Sequence, residues 1–172
     1  VLWANEFIPA AQTTYELNHP KTILNKKDIR DVSVSELLNE ISMSEGELDV
    51  LDGSPPCASF SIAGNRDKDW GKEKDYSGTK QIVDDLFFEY IRLVSGVQPK
   101  VFIAENVPGL LMKYSKEYFA KIYKELQDCG YNVAYKIVNA AEQGVPQSRK
   151  RVIFIGTRKD LQISPEVHPE PL

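Results

Sequence analysis

Leu48-Asp-Val-Leu-Asp-Gly-Ser-Pro-Pro-Cys57 runs from a short apolar stretch into a turn that carries two prolines, and continues as Ala-Ser-Phe-Ser-Ile-Ala-Gly-Asn-Arg66. The apolar part reads as a short buried strand. The turn then falls just past the strand's carboxyl end, where open α/β sheets place their ligands. Pro55 and Pro56 fix φ and bias the backbone toward extended geometry, so the segment holds the Cys57 thiol at a defined place. A thiolate is the nucleophilic form of cysteine, which makes Cys57 a candidate for covalent catalysis. A lone cysteine is more often a small buried hydrophobe. Two downstream segments reverse that preference.

Glu105-Asn-Val-Pro-Gly-Leu110 follows a second apolar strand at residues 101–104, and Gln147-Ser-Arg-Lys-Arg151 leads into a third at 152–155. In this order the three segments resemble the Pro-Cys, Glu-Asn-Val and Gln-x-Arg-x-Arg motifs of the cytosine-5 DNA methyltransferase family. Each motif alone is a weak signal. Three in order, each beside an expected strand, make a strong one. The resemblance covers residues 1–157, nearly the whole chain.

The resemblance implies a specific chemistry. Cytosine C5 is a poor nucleophile until a thiolate adds at C6, and Cys57 matches the residue that adds. Glu105 matches the acid that assists at N3. Arg151 is spaced to neutralise charge at O2, and Arg149 to meet a neighbouring phosphate or the Cys57 loop. The alternative for both arginines is an ordinary charged entry to a strand. The substrate is a flipped-out cytosine in double-stranded DNA, with Pro56, Ser59, Phe60, Ser61, Asn106 and Val107 around it. Asn106 and Val107 act there as support rather than in catalysis. The family commonly has Gln after the cysteine. This chain has Ala58, which removes one side-chain contact and leaves the nucleophile.

The implied cofactor is S-adenosyl-L-methionine. Glu6, at the end of a first strand, matches the acid that binds ribose hydroxyls, and Phe7 or Ile8 packs on the adenine. Asp28 and Ile29 match an adenine-contacting pair, although Asp28 alone reads as a surface loop acid. Ser54, Pro55 and Leu86 complete the cofactor set. For Phe87 and Phe88 the better reading is plain core.

Strands alternating with helices imply an α/β, doubly wound, mostly parallel sheet. The resemblance specifies the S-adenosylmethionine-dependent, Rossmann-like variant with an antiparallel last hairpin. Helices are expected over residues 9–18, from a Ser33 or Ser35 cap to about 41, over 81–95, and through Phe119, Ile122, Tyr123 and Leu126 to a stop at Gly130. Residues 58–79 read as a long functional loop dotted by Gly64, Gly71 and Gly78. Arg158-Lys159 reads as solvated surface, and Cys129 as core.

The 172 residues suffice for one domain with a sizeable core. The net charge of −4 does not advertise a nucleic-acid binder, so any contact with phosphate must be local. Two cysteines and two histidines give no disulfide framework and no metal-ligand spacing. No apolar run approaches the roughly 20 residues of a membrane span. A cytoplasmic setting is expected for a bacterial or phage protein, and a nuclear one for a eukaryotic protein.

Residues 1–172 are expected to form part of a catalytic domain. The family's glycine-rich turn with its first strand, its target-recognition domain and its closing motifs are not in the sequence. The isolated chain is therefore expected to be inactive, as a fragment of a longer protein or one half of a split enzyme with a complementing polypeptide. Two readings remain beside the DNA enzyme: a tRNA cytosine-5 methyltransferase, and a non-catalytic methyltransferase-like subunit.

Overall fold

The computed structural model describes residues 1–56, 74–76, 79–81 and 85–167. Among them, β3 (Val50–Gly53) pairs in parallel with β6 (Val101–Asn106). Strand β8 (Lys150–Arg158) runs antiparallel to β6 and to the edge strand β7 (Tyr131–Asn139). The sheet order is β3-β6-β8-β7, and only β8 runs against the other three. A separate parallel pair joins β1 (Trp3–Asn5) to β2 (Ile23–Asn25). The α/β class, the parallel strands and the antiparallel last hairpin agree with the sequence reading. Among the described residues the sheet is in two pieces, with β1 and β3 both at an edge.

Helix α3 (Leu86–Val97) organises the packing. Phe87, Tyr90, Ile91 and Val94 recur at helical spacing and enter the main core with Phe102, Ala104, Val152 and Phe154 of the sheet and Ile122 and Leu126 of α4 (Lys116–Asp128). Leu93 and Val97 face a second cluster with Val32 and with Leu37 of α2 (Val34–Glu40), and Trp3 and Leu51 pack on that cluster. The helix thus joins the two pieces of sheet through apolar contact. Phe87, Phe102, Phe154 and Tyr131 are fully buried. Each such side chain contributes roughly 1.5–3 kcal/mol relative to exposure. The other face of the sheet is covered less, and Val50 and Ile103 stay partly exposed there. Phe87 is core as expected, and Phe88 packs edge-on against Tyr118.

Local sequence explains most element ends. Ser33 caps α2 by accepting the Glu36 N–H at 3.0 Å, and the Glu36 carboxylate also pairs with Lys27. Helix α4 stops at Cys129, and Gly130 follows at φ +96°, a conformation glycine adopts without strain. Helix α1 (Pro9–Asn18) opens on proline.

Four expectations need correction. Helix α3 starts at Leu86, not near 81, because Thr79–Gln81 (β5) pairs antiparallel with Lys74–Tyr76 (β4). That hairpin also replaces part of the expected loop. Arg158 is not solvated surface: its guanidinium donates to the carbonyls of Gly46 and Gln98 and pairs with Asp160. Cys129 is only half-buried, against the main core.

Gly53 is required by a close approach. An added Cβ would lie 2.6 Å from the Tyr90 ring. Tyr90 in turn shares its hydroxyl proton between the carbonyls of Leu51 and Ile103, at 3.1 and 2.9 Å. Burial pushes this hydroxyl's pKa well above its ordinary value, so it stays a donor. Gly53→Ala is therefore expected to destabilise the fold by about 1–3 kcal/mol. A melting temperature equal to wild type would count against this packing.

Candidate functional site

Strands β3 and β6 deliver their carboxyl ends side by side, with Gly53 opposite Ala104. Glu105 and Asn106 are the last two residues of β6 and alternate across the sheet. Asn106 points to the core side and is buried. Its Nδ2 donates to the Pro55 carbonyl at 3.0 Å, and its Oδ1 accepts the Val107 N–H at 2.8 Å. One side chain therefore fixes the turn after β3 to the turn after β6. Pro55 is buried, and Ser54 and Pro56 are exposed. Cys57, Ser59, Phe60 and Ser61 lie outside the described residues, but the carbonyl that Asn106 holds is two residues before Cys57.

Glu105 faces the opposite side. Its register partner on β8 is Ile153, so Arg151 is its diagonal neighbour on the same face. Arg151 Nε meets Glu105 Oε1 at 2.7 Å, and both side chains keep about a quarter to a third of their surface exposed, 24% and 32%. The pair is open enough to be reached from solvent. The structure thus brings together two of the four residues expected to be catalytic. Arg149 is exposed, and its described bonds are made by its backbone: its N–H donates to Asn139 Oδ1 at 3.1 Å, and its carbonyl accepts from Ala140.

Loss of the Asn106 amide removes the partners of one buried carbonyl and one N–H. Asn106→Ala is expected to cost about 1–3 kcal/mol of stability and to lower turnover in the folded fraction. Unchanged stability and turnover together would contradict the linkage.

The acids expected at the cofactor stand at the ends of the other strand pair. Asn5 is opposite Asn25, so β1 and β2 finish level. Glu6 follows β1 directly. Its Oε1 accepts the Ile8 N–H at 2.7 Å, and its carbonyl accepts from Gln12. Phe7 is half-buried. Asp28 follows β2 and caps a 3-10 turn, Ile29–Asp31, by accepting the Arg30 N–H at 3.0 Å. Asp28 is therefore built into a turn and is not a free surface acid. Ile29 packs on the second apolar cluster. Leu86 is buried at the start of α3.

Sequence reasoning missed two cations here. Arg30 pairs with Asp28 and with Asp85, at 2.9 and 2.7 Å. That pairing holds the Asp85 carboxyl below the usual carboxylate range. Arg92 donates to the carbonyls of Ile29 and Val32. The available signal was an arginine three residues after Glu89 inside an otherwise apolar helix. Among the described residues no cluster of three or more His, Cys, Asp or Glu could hold a metal, and no helix is long and apolar enough to cross a membrane.

Comparison with known proteins identifies the family. The sequence profile of the C-5 cytosine-specific DNA methylase family matches residues 1–171. The Type II methyltransferase M.FnuDI of Fusobacterium nucleatum is 41% identical over 172 residues, which is 100% of this chain and 44% of that protein. The Type II methyltransferase M.NgoPII of Neisseria gonorrhoeae is 39% identical over 160 residues, 93% of this chain and 42% of that protein. A solved structure, described as a DNA modification methyltransferase encoded within an E. coli prophage, superposes with a TM-score of 0.76 at 26% identity. It covers 96% of this chain and 42% of that one. The chain thus spans less than half the length of the curated relatives it matches.

Proposed function

The chain belongs to the C-5 cytosine-specific DNA methylase family, and from that premise we propose that the protein transfers a methyl group from S-adenosylmethionine to C5 of cytosine in duplex DNA. The observation that carries this reading is the end of β6. There Glu105 is paired with Arg151, and the next residue, Asn106, holds the turn that leads to Cys57.

The chain's own groups divide the work. The Cys57 thiolate forms a bond to C6 of the ring. Glu105 donates a hydrogen bond or proton toward N3, and Arg151 donates toward O2, so the added electron density is drawn off as it develops. C5 then carries enamine character and takes the methyl group. Loss of the C5 proton and departure of the thiolate restore the aromatic ring. The target base must leave the duplex stack to reach these groups. Pro56, Ser59, Phe60, Ser61, Asn106 and Val107 surround the base in this reading, and Arg149 meets the adjacent phosphate.

S-adenosylmethionine supplies an electrophilic methyl sulfonium. The residues present suit it. Glu6 and Asp28 follow the carboxyl ends of adjacent parallel strands, the place where such sheets bind nucleotides. Glu6 is assigned to the ribose hydroxyls, Phe7 to the adenine face, and Asp28 and Ile29 to the adenine edge. Ser54, Pro55 and Leu86 line the remainder. The Type II relatives suggest a role in restriction–modification, acting in the cytoplasm.

The test uses the full-length protein with a methyl-labelled donor, given duplex DNA and tRNA in separate reactions. Label on C5 of DNA cytosine is the expected result. Label in tRNA alone would replace DNA with RNA as the substrate, and label in neither would overturn the reading. Activity that appears only with a second polypeptide would identify a split enzyme.

A further inference from the structure

The turn after β2 is held by groups more than fifty residues away. Its backbone closes on itself: the Asp31 N–H donates to the Asp28 carbonyl, and the Val32 N–H to that of Ile29. A three-residue 3-10 turn has little stability of its own. Two arginines reinforce it. Arg92 Nη2, on α3, donates to both the Ile29 and Val32 carbonyls at 2.9 Å, bracketing the turn. Its Nε is fixed by Glu89 one helical turn earlier, at 2.7 Å, so the guanidinium is pre-aimed by its own helix. Arg30, inside the turn, lays its fork on Asp85 with contacts of 2.7 and 3.2 Å and meets Asp28 Oδ2 at 2.9 Å. Asp85 stands immediately before α3. Both contacts therefore tie the turn to one rigid helix.

We propose that Arg92, supported by Arg30, is a positioning residue for the cofactor: it holds the Asp28–Ile29 turn in the shape that receives the adenine. The inference rests on the assignment of that turn to S-adenosylmethionine. A helix needing only core packing has no use for a guanidinium whose donors go to carbonyls of a remote turn. Freed from Arg92, the turn samples other conformations, and binding must then select the competent one. The apparent dissociation constant rises by the inverse of the competent fraction. The reacting groups at β3, β6 and β8 are untouched.

Arg92→Met keeps the apolar stem and removes the donors. In the full-length protein it is expected to raise the dissociation constant and KM for S-adenosylmethionine by roughly ten- to a hundredfold, the worth of one charge-assisted hydrogen bond. The KM for DNA, and kcat at saturating cofactor, should stay within about twofold of wild type by the same population argument. Arg92→Lys keeps the charge and a donor and should recover part of the loss. If the methionine variant does not fold, the lysine variant carries the test, with a severalfold rise confined to the cofactor. A cofactor KM unchanged in either folded variant overturns the inference alone. Parallel losses in cofactor KM, DNA KM and kcat overturn it too, because they describe general damage. Wild-type protein that takes up no S-adenosylmethionine overturns the cofactor assignment beneath it.

Discussion

Cys57→Ala in the full-length protein is expected to leave no detectable methyl transfer to cytosine, while binding of the DNA duplex persists. The loss is total because no other group can make C5 nucleophilic: without a bond at C6 the ring retains its aromatic electron distribution. The chain has one other cysteine, and it is unsuited to the task. Cys129 stands at the end of α4, where burial pushes its thiol up and away from the reactive thiolate. Cys57 instead follows two prolines at the end of β3, in a turn whose Pro55 carbonyl is bound by Asn106. Initial rates with a labelled donor decide the matter. Residual turnover above a few per cent in the alanine variant would remove Cys57 from the mechanism.

Glu105→Gln has the next largest expected effect. The amide retains the side chain's shape and still accepts from Arg151, whose Nε now stands 2.7 Å from the carboxylate. It cannot transfer a proton to N3 as a carboxylic acid does. General acid–base assistance contributes about 10²–10⁴-fold, so kcat should fall by that order. DNA affinity should hardly change, since the duplex is gripped mainly through its phosphates. Single-turnover rates separate the two effects. Wild-type turnover in the glutamine variant would end the proposed role.

The sequence made the sheet legible wherever an apolar run met punctuation. Val101–Asn106 and Tyr131–Asn139 are bounded by Pro99, Pro108 and Gly130, and the register of Val101–Asn106 on Lys150–Arg158 brings Glu105 and Arg151 to one face. Helix α4 was legible from Phe119, Ile122, Tyr123 and Leu126 and from the glycine behind it. The start of α3 was not, because Ile82 continues the apolar spacing upstream and gives no sign that Gln81 belongs to a hairpin. Side chains that bind backbone were the hardest to foresee. Arg158 looked like a solvated charge and is a staple between β8, Gly46 and Gln98. Arg92 is one polar residue on an apolar helix and reaches a turn 60 and 63 residues away. Composition and spacing report which face a residue takes, and they do not report which distant carbonyl needs a donor. Tyr90 is a similar case: its ring fits the helical stripe, but its hydroxyl bond to two strand carbonyls follows only from the packing of α3 on Gly53.

The central claim is that Cys57 attacks C6 of a cytosine held by Glu105 and Arg151. A duplex bearing 5-fluorocytosine at the target position tests it most directly, because fluorine at C5 cannot leave as a proton does and the thiol bond persists after methylation. Full-length protein incubated with this duplex and S-adenosylmethionine should give a denaturation-resistant protein–DNA adduct. Mass spectrometry of the digested adduct should place the modified base on the peptide containing Cys57. Absence of any adduct from a protein that methylates ordinary DNA, or attachment at Cys129 or a residue other than cysteine, would contradict the account.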